Sequence, residues 1–212
     1  SIAGVMNCLD PDIPRCHGVF RRVNVLLRDG AVVGRTKFPH SASVATTNVG
    51  DRLVNLTQSA LARLGDGYGL AEGGVGMGAG WAVVSGKDFR HDGEAYINQL
   101  FVGGNGGPAS PQADGWLTYG IPVAAGLIYR DSVELVEVKH PLHMKSVRIH
   151  PGTCAPGKFR GAPGAELIYG PKQDTMTVAI PCDGQVFPPK GVNGEQIGRA
   201  SCRERVSLPC RS

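Results

Sequence analysis

The chain has 212 residues, 42% of them apolar and 19% charged, a balance that supports a packed core and excludes a disordered, solvating segment. Its 31 glycines and 15 prolines exclude a helix bundle, because helix interiors tolerate neither residue well. The formal charge of +4 is no sign of a nucleic-acid surface. Four arginines and one acid fall within residues 197–212, and setting them aside leaves 18 basic and 17 acidic side chains, a net of +1.

In chain order, Leu9-Asp10-Pro11-Asp12-Ile13-Pro14 comes almost at once, which is how a fragment of a longer protein begins. No basic stretch followed by an apolar one opens the chain, so no signal peptide is expected. Residues 23–28, Asp29-Gly30 and residues 31–33 predict a strand, a two-residue turn and a returning strand, since Asp-Gly supplies the positive φ angles of a tight hairpin. Val49, Leu53, Leu56, Ala60, Leu61 and Leu64 recur at three- and four-residue spacing and predict an amphipathic helix. Thr47 or Asn48 can cap it and Gly65 can stop it. Residues 65–80, half of them glycine, predict a loop.

Strands are expected at residues 81–85 and 96–102, with a turn at His91-Asp92-Gly93 between them. A second glycine cluster follows, Gly103-Gly104-Asn105-Gly106-Gly107. Residues 121–129 form the longest nearly apolar run, too short and too interrupted for the ~20 residues of a membrane helix. The alternation of Val133, Leu135 or Val136 and Val138 with Glu134, Glu137 and Lys139 predicts a strand over residues 132–139. Further strands are expected at 142–150, 167–169 and 175–180. The whole predicts an α+β fold, β-rich, with one clear amphipathic helix and long glycine-rich loops.

Motifs with chemical content are few. Gly74-Val75-Gly76-Met77-Gly78-Ala79 fits the loose dinucleotide fingerprint, but a loop precedes it and a strand follows where the fingerprint needs strand then helix. Residues 152–159 miss the phosphate-loop pattern, because Phe159 stands where a Mg²⁺-ligating hydroxyl is required and Gly161, Pro163 and Gly164 rule out a following helix. His140, His143, His150, Cys154 and Cys182 lack the tight pairing of zinc ligands, so partly exposed histidines are expected and no metal site. Cys8, Cys16, Cys154 and Cys182 are scattered and form no CxxC, which suits a reducing, cytoplasmic setting.

Taken in order, several segments resemble one family, the hydantoinase B/5-oxoprolinase family of B-type subunits of ATP-dependent ring-opening enzymes. They are residues 9–14, Gly18, Arg21-Arg22, Asp29-Gly30, Pro39, Thr47-Asn48-Val49, the 103–107 glycine cluster with Asp114-Gly115, Ser132-Val133-Glu134, Glu137, His140-Pro141-Leu142 and Gly157-Lys158-Phe159-Arg160-Gly161. Ala162 departs from the usual Arg-Gly-Gly, residues 153–156 from a Ser-Gly-Gly-Ala run, and Cys16-His17 from an Asn-containing pair. The resemblance implies the C-terminal part of a longer subunit over residues 1–195, acting on a small cyclic amide (hydantoin, 5-oxoproline or lactam) with an A-type, actin-like ATPase partner that uses the ATP. A hetero-oligomer is implied, with no nucleic acid or membrane partner. It also implies a divalent metal in the full-length subunit, whose ligands are not in this chain. An alternative that the resemblance implies is part of a related ATP-dependent ketone carboxylase.

Within that frame the expected site is Asp114 as the catalytic carboxylate, with Gly103, Gly104, Asn105, Gly106, Gly107, Arg160 and Gly161 binding substrate. Glycine loops let backbone N–H groups approach an oxyanion or phosphate, and an arginine can grip a carboxylate or phosphoryl group bidentately. For Arg160 the alternative is an ordinary surface salt bridge. For the whole chain it is a non-catalytic β-rich module whose glycine loops dock partner subunits. Residues 196–212 have no apolar periodicity and read as the translation of a sequencing-library adapter, so they are expected to be a non-native tail.

Overall fold

The structure is a computed structural model that describes residues 2, 6, 10, 12–14, 16–39, 49–65, 67–73, 79–117, 120, 128–182 and 186–192. Thr47, Asn48, residues 74–78, residues 121–127 and the 196–212 tail lie outside the described residues. Helices and antiparallel sheets are both present, so the fold is α+β.

Helix α1 spans Gly50–Ala62, and Gly65 follows it with a φ of 137°. Strands β1 (Val83–Asp88) and β2 (Glu94–Gln99) pair antiparallel in register Val83↔Gln99 to Asp88↔Glu94, and a short 3-10 turn, Phe89–His91, joins them. Asp92 and Gly93 take positive φ at that turn, as the His-Asp-Gly signal predicts. Helix α2 spans Val133–Lys139, β3 Leu142–Ile149, β4 Ala165–Pro171 and β5 Met176–Ala179. One sheet has the order β2-β1-β5 and the other is the β3–β4 pair. Val84, Leu100, Val102, Val136, Leu142, Met144, Leu167 and Tyr169 form the core, which draws on both sheets and on α2.

Three expectations need correction. Residues 132–139 are a helix, not a strand. Ser132 caps it by accepting from the Leu135 N–H at 3.2 Å, and the buried positions are Val136 and His140, while Leu135 and Val138 are exposed. The β-branched residues that imitate alternation are thus read at helical spacing, because the cap offers the backbone a partner that a strand start lacks. The described residues therefore include a second α-helix. His140 is also buried, at 4% exposure, and burial together with the nearby Lys139 charge lowers its pKa from the ordinary 6.5.

The third correction concerns residues 23–33. Gly30 has a left-handed φ of 67°, but the turn closes later, through Arg35 N to Arg28 O at 3.0 Å and Gly34 N to Ala31 O at 2.9 Å. A Cβ on Gly34 would overlap the Arg28 carbonyl, so Gly34 is what admits this wider loop. Residues 31–33 form part of the turn, and neither flank is a strand.

The helix α1 itself forms as its periodicity predicts, but with its faces exchanged. Asp51, Val54, Asn55, Gln58 and Ala62 are buried, while Leu53, Leu56 and Leu64 are 37%, 64% and 66% exposed. The polar face is satisfied by loop backbone. Asn55 Oδ1 accepts from Gly73 N at 3.1 Å and its Nδ2 donates to Gly73 O at 3.4 Å. Ser59 donates to Glu72, whose other carboxylate oxygen accepts from Lys190 N at 3.0 Å. Among the described residues no helix is long and apolar enough to cross a membrane.

Arg90 joins the two layers. Its guanidinium grips Asp88 through Nε (2.9 Å) and Nη2 (2.7 Å), and it also donates to the carbonyls of Glu137, Val138 and Lys139 at 3.2, 2.9 and 3.4 Å. These are C-terminal carbonyls of α2, which a cation satisfies and whose dipole it offsets. The Arg90 hydrogen bond holds the Asp88 carboxyl down to about 2, from an ordinary 3.8. A depressed carboxyl contributes stability that is complete above its ordinary value and is lost as pH falls through the folded one. The Asp88 contribution should therefore fade between about pH 4 and pH 2. Arg90→Ala is expected to lower the melting temperature at neutral pH by several degrees and to move the acid-unfolding limb to higher pH. Circular dichroism melts across that range check this, and an unchanged acid limb would contradict the role given to Arg90.

Candidate functional site

Three of the segments singled out in the sequence come together in one place, through main-chain contacts. The antiparallel pairing of β1 with β2 continues past the strands, with Leu100 N bonded to Ala82 O at 2.9 Å and Gly80 O accepting from both Val102 N and Gly103 N, at 3.0 and 3.1 Å. Gly80 and Gly103 face each other so closely that a Cβ on either would meet the other's main chain at overlap distance. The chain leaving β2 is thereby led across into the 103–107 cluster.

There it meets the connection between β3 and β4. Gly107 N donates to Trp116 O at 2.9 Å, and Gly107 O accepts from Ala162 N at 3.0 Å. Gly115 N donates to Arg160 O at 2.8 Å, and Arg160 N donates to Asp114 Oδ1 at 2.7 Å. Three backbone segments are thus laced together: the glycine cluster, Asp114-Gly115-Trp116 and Arg160-Gly161-Ala162. A Cβ on Gly106 would overlap the Ala162 carbonyl, and one on Gly115 would overlap the Gly107 carbonyl. Main-chain packing therefore accounts for Gly106 and Gly115.

The Arg160 loop is fixed at its base as well as its tip. His150 N bonds to Gly164 O, Gly164 N to Thr153 Oγ1 and Thr153 Oγ1 to His150 O, all at 2.8–2.9 Å. Gly161 N donates to Ala155 O at 3.1 Å. The residues that would complete a phosphate loop run into this tip and then into β4. Lys158 lies over the Phe159 ring, 5.6 Å from its centroid.

The site residues expected from the sequence are therefore placed as follows. Asp114 and Arg160 are exposed neighbours, with one Asp114 oxygen committed to the Arg160 main chain. No described carboxylate pairs with the Arg160 guanidinium, so the salt-bridge alternative finds no described partner. Gly103, Gly106, Gly107 and Gly161 take part in the lacing, and Gly104 continues the same stretch. Asn105 is half-buried within it, and its Nδ2 has no hydrogen-bond partner among the described residues. Trp116, exposed at 63%, is carried on the same lacing and was missed in the sequence; its signal would have been its place directly after Asp114-Gly115.

His140, His143, His150, Cys154 and Cys182 are not brought together, and the described residues contain no group of three or more His, Cys, Asp or Glu able to hold a metal ion. The Glu137–His143 pair, with Oε1 to Nδ1 at 2.9 Å, lies at the far end of β3. Six residues of strand, about 20 Å, separate it from the Arg160 loop. Glu137 also accepts from Met144 N at 2.6 Å, which lowers its pKa, so the carboxylate serves the junction of α2 and β3.

The chain matches the family described as Hydantoinase B/oxoprolinase over residues 1–208. It belongs to that family. The hydantoinase B match runs past residue 196 into the segment set apart above as a tail. An uncharacterized protein of Methanocaldococcus jannaschii is 27% identical over 206 residues, covering 94% of this chain and 33% of that protein. The chain thus spans about a third of the length of that curated relative. Among solved structures, nucleotide-free acetone carboxylase is similar with a TM-score of 0.40 and 21% identity, over 50% of this chain and 14% of that one.

Gly103→Ala is expected to cost about 2–3 kcal/mol, because the added methyl has no space against the Gly80 main chain. Arg160→Gln, whose guanidinium holds no described partner, should leave stability within ~0.5 kcal/mol. Urea unfolding of the two variants checks both, and a neutral Gly103→Ala would contradict the packing described here.

Proposed function

We propose that this chain is the C-terminal part of a B-type subunit that opens small cyclic amides, with an ATPase partner subunit supplying the activation. The supporting observation is the convergence of three family-like segments on one laced site, in which the Asp114 carboxylate accepts from the Arg160 main chain and the Arg160 guanidinium has no ion-pair partner among the described residues. Family membership supports the general class of chemistry.

In this reading Arg160 holds the anionic group of the activated substrate. A guanidinium offers paired donors in a plane and keeps its charge at any working pH. Asp114 has one oxygen on the Arg160 main chain, which orients the carboxylate and leaves the second oxygen to accept from a ring N–H or an attacking water. Main-chain lacing holds the two loops that carry these side chains in fixed relation, which favours positioning. For the divalent metal that the family resemblance implies, the described residues offer no group of three or more His, Cys, Asp or Glu.

One observation favours a second reading. Since Gly103, Gly106 and Gly115 are accounted for by packing alone, the glycine content no longer argues for a ligand, and a non-catalytic docking module is the alternative.

The test uses the full-length two-subunit enzyme with Asp114→Asn and Arg160→Gln. Asparagine keeps the oxygen that accepts from Arg160 N, so the loop stays in place while the negative charge is lost. A fall in kcat of at least about tenfold with an unchanged melting temperature is expected for Asp114→Asn, and a rise in KM for Arg160→Gln. Wild-type turnover in both would favour the docking module.

A further inference from the structure

Two surfaces of the described chain are apolar, exposed and unused by its own fold. The first is the arm before α1. After a 3-10 turn, His17–Arg22, the chain extends, and Val25, Leu26, Val32 and Phe38 are 67%, 95%, 86% and 95% exposed. Among the described residues the main chain of residues 23–39 bonds only within the arm, through Val23 N to Phe20 O and the contacts that close the 28–35 loop. Residues 24–27, apolar but for Asn24, have main-chain N–H and C=O groups without partners among the described residues, which suits them to complete a sheet edge.

The second surface is the outer face of α1. Leu53, Leu56 and Leu64 lie along one side of the helix, with exposed Ala60 between them. The opposite face carries Asp51, Asn55 and Gln58 and is buried. A helix that spends its polar face on its own loops and turns leucines outward is built to be covered from outside, since monomers rarely leave such patches open.

We propose that both surfaces receive the portion of the family protein that lies beyond the third matched here. The arm would add as a strand to a sheet edge in that portion, and the α1 leucines would close against an apolar face of it. The relative's length is the argument for this occupant. The chain covers 33% of that protein, so two thirds of a longer polypeptide are available to bury these side chains in cis. The inference rests on the reading of the chain as part of a longer subunit.

The test compares the chain as it stands with a chimera in which it replaces the matched third of the Methanocaldococcus jannaschii protein. In the chimera, Leu26→Lys with Leu56→Lys should lower the melting temperature by more than about 5 °C; in the chain alone it should shift it by less than ~1 °C. An equal loss in both, or no loss in the chimera, overturns the proposal. Should the chimera not fold, light scattering and binding of an apolar dye to the chain alone decide. A monomer whose dye binding falls severalfold in the double variant supports the proposal. A dimer that the double variant dissociates puts a second copy on these surfaces and overturns it. Failure of the cyclic-amide reading is separate, since it shows in turnover with stability unchanged.

Discussion

Main chain packs directly on main chain at the centre of this structure. Where Gly80 meets Gly103, and where Gly106 and Gly115 meet Ala162 and Gly107, no side chain separates the backbones. That closeness lets Gly80 O serve two donors and lets loops without regular structure share hydrogen bonds as strands do. Each glycine carries a cost in backbone entropy. The return is a junction at which the continuation of β2 and the β3–β4 connection are held at fixed distance. Asp114 and Arg160 sit on that junction, where one Asp114 carboxylate oxygen accepts from the Arg160 main chain.

The rest of the architecture keeps the two sheets in the relation that this junction requires. The shared core places Val84 and Leu100 from one layer against Leu142, Met144 and Tyr169 from the other, with Val136 of α2 among them. Arg90 reinforces the same joint from the surface by tying the β1–β2 turn to the last carbonyls of α2. Arg148 and Glu166, opposite each other on β3 and β4, pair at 2.6 Å. Apolar burial supplies the energy, and the charged contacts fix orientation.

Much of this was legible in the sequence wherever a local rule carries a single meaning. Gly65 after a 3.6-period pattern marked the end of α1, His-Asp-Gly marked the β1–β2 turn, and strands from residue 142 onward formed at the expected segments. The failures have physical reasons. Residues 132–139 satisfy two periods at once, and only the Ser132 cap and the burial of Val136 and His140 decide between them. The α1 stripe predicted a helix correctly but not its orientation, because a pattern of leucines says which residues share a face and not which face the fold buries. In the candidate site, Asp114, Arg160 and the glycine cluster were visible as separate segments. Their convergence was not, because it rests on Gly107, Gly115 and Ala162 hydrogen bonds between residues up to 55 positions apart and on contacts that only missing Cβ atoms permit.

A preformed site at Asp114 and Arg160 requires the three loops to act as one rigid unit. Amide hydrogen exchange measures that directly, since amides laced into a common unit open together while those of independent loops open singly. The N–H groups of Gly107, Gly115, Arg160 and Ala162 should show protection within about tenfold of one another and close to that of β1 amides. Free exchange at Gly115 and Arg160, with protection confined to the strands, would contradict a preformed site at Asp114 and Arg160.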